Sequence, residues 1–127
     1  MRAYDVAVAS LVIDAPTKWT DNLLSQHDLP GATSARRGVA RRIPHSALLH
    51  LALTHQLHHA VGMSVRDALV LAAQLLAGER GEAQRGPVRI TFDRASFERA
   101  IEQRIREVLE SAPSPRRGRP PAQRIRQ

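Results

Sequence analysis

At 127 residues, 43% of them apolar, the chain is long enough for one small packed domain and a tail. Aromatics make up only 3% and cysteine is absent, so the core must come from Leu, Val, Ile and Ala. Disulfides, thiolate metal sites and cysteine nucleophiles are thereby excluded. The formal charge is +7, and no stretch reads as a signal peptide or as a bilayer span, which makes the cytoplasm the expected location.

In chain order, residues 5–13 form a short apolar run whose period is ambiguous between helix and strand. The turn residues Asp14-Ala15-Pro16 that follow favour a helix. Pro16 or Thr17 opens a second helix over residues 17–26. Trp19 and Leu23 are four apart and share its core face, while Thr17, Lys18, Asp21 and Asn22 point elsewhere. Two short helices joined by a tight turn fit a helix-turn-helix. Thr, Lys and Asn on the outer face suit phosphates and base edges, and they suit an ordinary solvated face equally well.

Leu29-Pro30-Gly31 ends this unit. Residues 32–38 read as a loop and residues 39–43 as a returning strand, a wing-like arrangement. Arg36, Arg37, Arg41 and Arg42 fall within residues 36–43, with Gly38 among them, and arginines clustered on a short turn reach phosphates well. A strong helix starts at Pro44-His45-Ser46, with Ala47, Leu48, Leu51, Ala52, His55, Leu57 and Ala60 at helical spacing until Gly62 breaks it. Ser64 is a good N-cap, with Asp67 three residues on, for a helix running to Ala77.

The placement of charge matters more than its sum. No Asp or Glu lies between Leu29 and Arg66, nor from Ser114 to Gln127. The nine arginines Arg36, Arg37, Arg41, Arg42, Arg116, Arg117, Arg119, Arg124 and Arg126 exceed the whole net charge, leaving 10 basic and 12 acidic residues elsewhere. Two basic patches on a near-neutral body are a nucleic-acid footprint. An acidic membrane suits them less, because the tail has no Trp, Phe or Leu to bury.

Helix-turn-helix, an arginine wing with Gly38-Val39-Ala40-Arg41-Arg42-Ile43, and a helical pair interrupted at Gly62-Met63-Ser64-Val65 together resemble the DNA-binding head of MerR-type regulators. The resemblance covers about residues 4–77. Ala40 and Ile43 stand where that family carries aromatics, and the second helix lacks the family's Arg-aromatic-aromatic-Glu run. Carried over by position, the resemblance implies Thr17, Lys18 and Asn22 in or near the major groove. Arg36, Arg37, Arg41 and Arg42 would serve the wing and the backbone.

Residues 78–87 read as a flexible linker or loop, and Val88-Arg89-Ile90-Thr91-Phe92 alternates as a strand does, a short exposed strand that could also pair with its symmetry mate. Asp93 caps a last helix over residues 94–111. Its stripe of Phe97, Ile101, Ile105, Val108 and Leu109 fits either packing on its own head or, the sharper expectation, dimerisation. Glu102 and Arg106 are spaced for an i,i+4 pair. The tail, residues 113–127, has a disordered composition. Within it Arg116-Arg117-Gly118-Arg119-Pro120 resembles an AT-hook core, in which glycine lets the backbone sit deep in a minor groove and arginines run along it.

His50, His55, His58 and His59 cluster on one helix, with packing or solvation the better expectation, a metal on the His55 and His59 pair the lesser one and a pH-sensitive interface a third. No catalytic constellation, phosphate loop or cofactor motif is legible, so an enzyme is not expected. The sequence thus predicts a mainly α protein in three parts. These are a winged helix-turn-helix head (residues 1–77), a segment with a short strand and a dimerisation helix (78–112), and a basic tail (113–127). The expected function is sequence-dependent binding of double-stranded DNA by a dimeric, nucleoid-associated transcriptional regulator without metal or cofactor. The alternatives are an architectural nucleoid protein and an adaptor or antitoxin docking through residues 88–112.

Overall fold

The computed structural model describes residues 2–33 and 41–111. Within them the chain runs β1 (Ala3–Tyr4), α1 (Val6–Ile13), α2 (Thr17–Gln26), β2 (Ile43–Pro44), α3 (His45–Gln56), α4 (Val65–Ala77), β3 (Glu82–Arg85), β4 (Val88–Thr91) and α5 (Arg94–Ser111). The protein is mainly helical, with two small antiparallel sheets, β1–β2 and β3–β4.

The helix ends follow from local chemistry. The Asp5 carboxylate accepts from the Val8 N–H at 2.8 Å and caps α1, a contribution of about 1 kcal/mol. Asp14 closes α1 in the left-handed conformation, φ 59°, and the Ala15 N–H returns to the Ser10 carbonyl at 3.0 Å. That leaves room for Pro16 to set the backbone at the start of α2. The Ser64 hydroxyl accepts from the Asp67 N–H and caps α4, and Asp93 takes both the N–H and the hydroxyl of Ser96 to cap α5.

One apolar cluster joins Tyr4, Val12, Ile13, Leu23, Leu24, Ile43, Leu48 and Leu51 to Ile101, Ile105 and Val108 of α5. A second lies between α4 and the hairpin, with Leu71, Leu75 and Ala83 buried and Ile90 and Phe92 packed on it. Two arginines of α5 cap other helices' C-terminal carbonyls, where a cation also meets the favourable end of the helix dipole. Arg104 donates to Leu11 of α1 at 2.6 Å, and Arg94 to Leu76 in the last turn of α4 and to Gly78 just after it at 2.8 and 3.0 Å.

Several expectations require correction. The stripe predicted to dimerise is part of this chain's own core. Ile101, Ile105 and Val108 are buried and Phe97 half-buried, whereas Leu109 remains 53% exposed. The apolar surface of α1 and α3 wins that face because it is tethered nearby. Residues 78–87 are not a linker throughout, because Glu82–Arg85 is a strand pairing with β4 across a Gly86-Pro87 turn. Glu102 pairs with Arg2 at 2.7 Å and lies 3.4 Å from the His45 ring, rather than pairing with Arg106, which donates to Gln103. Strand β2 pairs with the N-terminal strand, Tyr4 opposite Ile43. After Gln56 the chain widens into a π turn over Leu57–Val61, so Ala60 is exposed instead of continuing the apolar stripe.

Candidate nucleic-acid interface

The two first helices are held in register by one buried contact. The Ser10 hydroxyl donates to Thr20 Oγ1 at 2.8 Å across the turn, with both side chains out of solvent. Thr20, Leu23 and Leu24 face inward and Trp19 is half-buried. Helical spacing therefore turns Thr17, Lys18, Asp21, Asn22, Ser25 and Gln26 outward, and all six are exposed. The predicted residues Thr17, Lys18 and Asn22 share one accessible face.

Arg41 lies along one flank of that face. Its Nε donates to Asp21 Oδ1 at 3.4 Å and its Nη2 to Ser25 Oγ at 3.0 Å, and its side chain is only 11% exposed. Both of its side-chain hydrogen bonds are therefore directed at α2. It neutralises the acid in the middle of the helix face and attaches the returning chain to that helix. Lys18, Asn22 and Gln26 form the open flank. Asp21 and Ser25 were not singled out as partners of Arg41, and no local spacing pairs them with a residue so distant in the chain.

Arg42 behaves differently, because its side chain is exposed. Its backbone meets Thr33 in both directions. The Arg42 N–H donates to Thr33 Oγ1 at 2.9 Å and the Arg42 carbonyl accepts from the Thr33 N–H at 3.1 Å. This pair joins the two described segments, residues 2–33 and 41–111, at Thr33 and Arg42. Arg36 and Arg37, with Gly38, lie outside the described residues, as do Arg116, Arg117, Gly118, Arg119 and Pro120 of the tail.

Behind α2 stands the histidine group. The Trp19 ring meets His55 edge-on at 4.8 Å and stacks over His58 at 6.1 Å, and His55 stacks on His59 at 5.4 Å. The π turn brings His58 there, and its Nδ1 donates to the Met63 carbonyl at 2.7 Å. Burial, with the imidazoles of His59 and His58 alongside, pushes His55 below its ordinary pKa of 6.5. These rings thus buttress the inner side of α2. Among the described residues no group of three or more His, Asp or Glu side chains is placed to hold a metal ion, and no helix is long and apolar enough to cross a membrane.

Comparisons with protein-family models, curated proteins and solved structures returned no match to this chain.

Proposed function

We propose that the protein binds double-stranded DNA in a sequence-dependent way, as a MerR-like winged helix-turn-helix transcriptional regulator acting as a homodimer. What carries the reading is the exposed face of α2. Lys18, Asn22 and Thr17 project from a helix whose pitch against α1 is held by the Ser10–Thr20 bond. Lysine serves phosphates, and asparagine can bond both N6 and N7 of adenine. Arg42 supplies backbone charge beside it, Arg36 and Arg37 would add to that charge as the resemblance implies, and the Arg116–Pro120 segment would enter an A·T-rich minor groove.

An architectural protein with little base readout is the second reading. Asp21 favours it, because that acid occupies the middle of the helix face and leaves few base-reading groups around it.

Fluorescence anisotropy of the full chain against randomised, A·T-rich and G·C-rich duplexes at two salt concentrations tests both. Salt-dependent binding that Asn22→Ala weakens only on preferred sequences supports the regulator. Salt-dependent binding indifferent to Asn22→Ala supports the architectural protein. No binding at moderate salt defeats both and favours an adaptor.

A further inference from the structure

The predicted dimerisation stripe is consumed within the chain, so a homodimer needs another surface, and the β3–β4 hairpin offers one. Its register sets Glu82 opposite Thr91, Ala83 opposite Ile90, Gln84 opposite Arg89 and Arg85 opposite Val88. The Phe92 N–H donates to the Gly81 carbonyl at 3.1 Å, which makes residues 81 and 92 a hydrogen-bonded pair. Antiparallel ladders alternate. Ala83–Ile90 and Arg85–Val88 are therefore bonded pairs, and the N–H and C=O of Arg89 and Thr91 point away from β3. Among the described residues no other backbone hydrogen bond satisfies this outer edge. Unpaired strand edges are templates for another strand.

We propose that the outer edge of β4 pairs antiparallel with the same edge of a second copy, with Ile90 of the two chains meeting at the two-fold axis. The result is one continuous sheet in the order β3, β4, β4, β3. A second copy is the occupant because the register is self-complementary. Arg89 of one chain faces Thr91 of the other, so both outward groups of each residue are satisfied on both sides of the axis.

The side chains agree with that register. Val88, 54% exposed in the single chain, comes opposite the partly buried Phe92 ring of the second copy, on the face that packs against α4. On the other face Arg89 sits two strands, about 10 Å, from Glu82 of the second copy. That is within reach of an arginine and a glutamate extended toward each other over Thr91. Neither residue makes an ion pair among the described residues. A short strand pair gives a modest interface, so self-association is reversible and concentration-dependent. The inference deepens the homodimer of the proposed function by naming its surface.

Sedimentation equilibrium of the full chain without DNA tests it, which keeps the outcome separate from the DNA reading. The wild type is expected to pass from monomer to dimer with concentration. Arg89→Pro removes an outward N–H, leaves the hairpin's own bonds intact and gives a monomer with unchanged circular dichroism. Arg89→Glu raises the dimer Kd roughly tenfold or more through acid facing acid, and Glu82→Arg added to it restores association. A wild type that stays monomeric up to its solubility limit overturns the proposal. So does a folded Arg89→Pro protein that dimerises as well as wild type. Should Arg89→Pro fail to fold, the charge reversal and its rescue decide, and an Arg89→Glu protein with wild-type affinity overturns it.

Discussion

Ser10 and Thr20 are each other's hydrogen-bond partner in the angle between the first two helices, 2.8 Å apart and shielded from water. Removing one hydroxyl strands the other in an apolar surrounding. Ser10→Ala and Thr20→Val are each expected to lower unfolding free energy by roughly 1–3 kcal/mol. The double substitution removes both groups and should cost less than the sum of the two. Urea unfolding of the four proteins in the cycle measures the coupling, and strict additivity would remove the bond from the account.

The glycines of the hairpin separate two kinds of strain. Gly81 has φ +66°, and a Cβ there would lie 2.9 Å from Phe92 Cε1 and 3.0 Å from the Phe92 carbonyl oxygen. Gly86 has φ +59° and open space around it. Gly86→Ala should cost only the left-handed backbone penalty, about 1–2 kcal/mol. Gly81→Ala should cost more, because a backbone oxygen cannot move aside as a side-chain tip can. Thermal denaturation of the two variants ranks them, and equal losses would contradict the clash.

Stability should fall on acidification in two steps. The His55 pKa is lowered by burial and by His59 and His58, so the folded protein binds fewer protons there than the unfolded chain. Stability therefore declines as pH drops below the ordinary value of 6.5 and levels out beneath the folded value. The hydrogen bond from Arg2 holds the Glu102 carboxyl below its ordinary 4.5, so a second decline follows as pH falls below that value. In urea titrations across pH, His55→Gln should erase the upper step and Glu102→Gln should lessen the lower one, the rest of which belongs to Asp93 and Glu107, whose carboxyls are also held low by their hydrogen bonds. An upper step unchanged in His55→Gln would assign it to another group.

Neighbouring apolar residues of α5 should respond in opposite ways. Ile105, 1% exposed, loses roughly 2–5 kcal/mol on truncation to Ala. Leu109→Glu, at a position 53% exposed, should leave both stability and oligomeric state within error of wild type. Circular dichroism melts and sedimentation give the two readouts. A Leu109→Glu protein that changed association state would return α5 to the interface.

Adjacent arginines should also part company in DNA titrations. Arg42→Gln removes an exposed cation and should lessen the slope of log K against log salt by about 0.9. Arg41→Gln releases α2 from its contact with the returning chain. It should weaken affinity while leaving that slope nearly unchanged, because the Arg41 guanidinium faces Asp21 and Ser25. Equal slope changes would place both arginines on phosphates.

Elements defined by their own residues were legible in the sequence. The span of α2, the Ser64 and Asp93 caps and the Gly62 break all follow from local spacing and capping chemistry. What escaped depends on partners distant in the chain. Glu-Ala-Gln-Arg has little strand propensity, and residues 82–85 become a strand because Ala83 finds the α4 cluster and β4 lies two residues beyond. Glu102 turned to Arg2 rather than to Arg106, a choice that no helical wheel can foresee. The open face of α2 was readable, but the placement of Arg41 across its flank was not, since only the fold brings residue 41 back to residues 21 and 25.

The docking of α5 against α1 also governs how the polypeptide matures during synthesis. Ile101, Ile105 and Val108 complete the cluster that contains Val12 and Ile13, and Arg104 caps the first helix from near the end of the described chain. A nascent chain halted after residue 77 holds its first four helices with one side of that cluster uncovered. Closure of this cluster during synthesis therefore waits until α5 has left the ribosomal exit tunnel, and the first four helices cannot complete it by themselves.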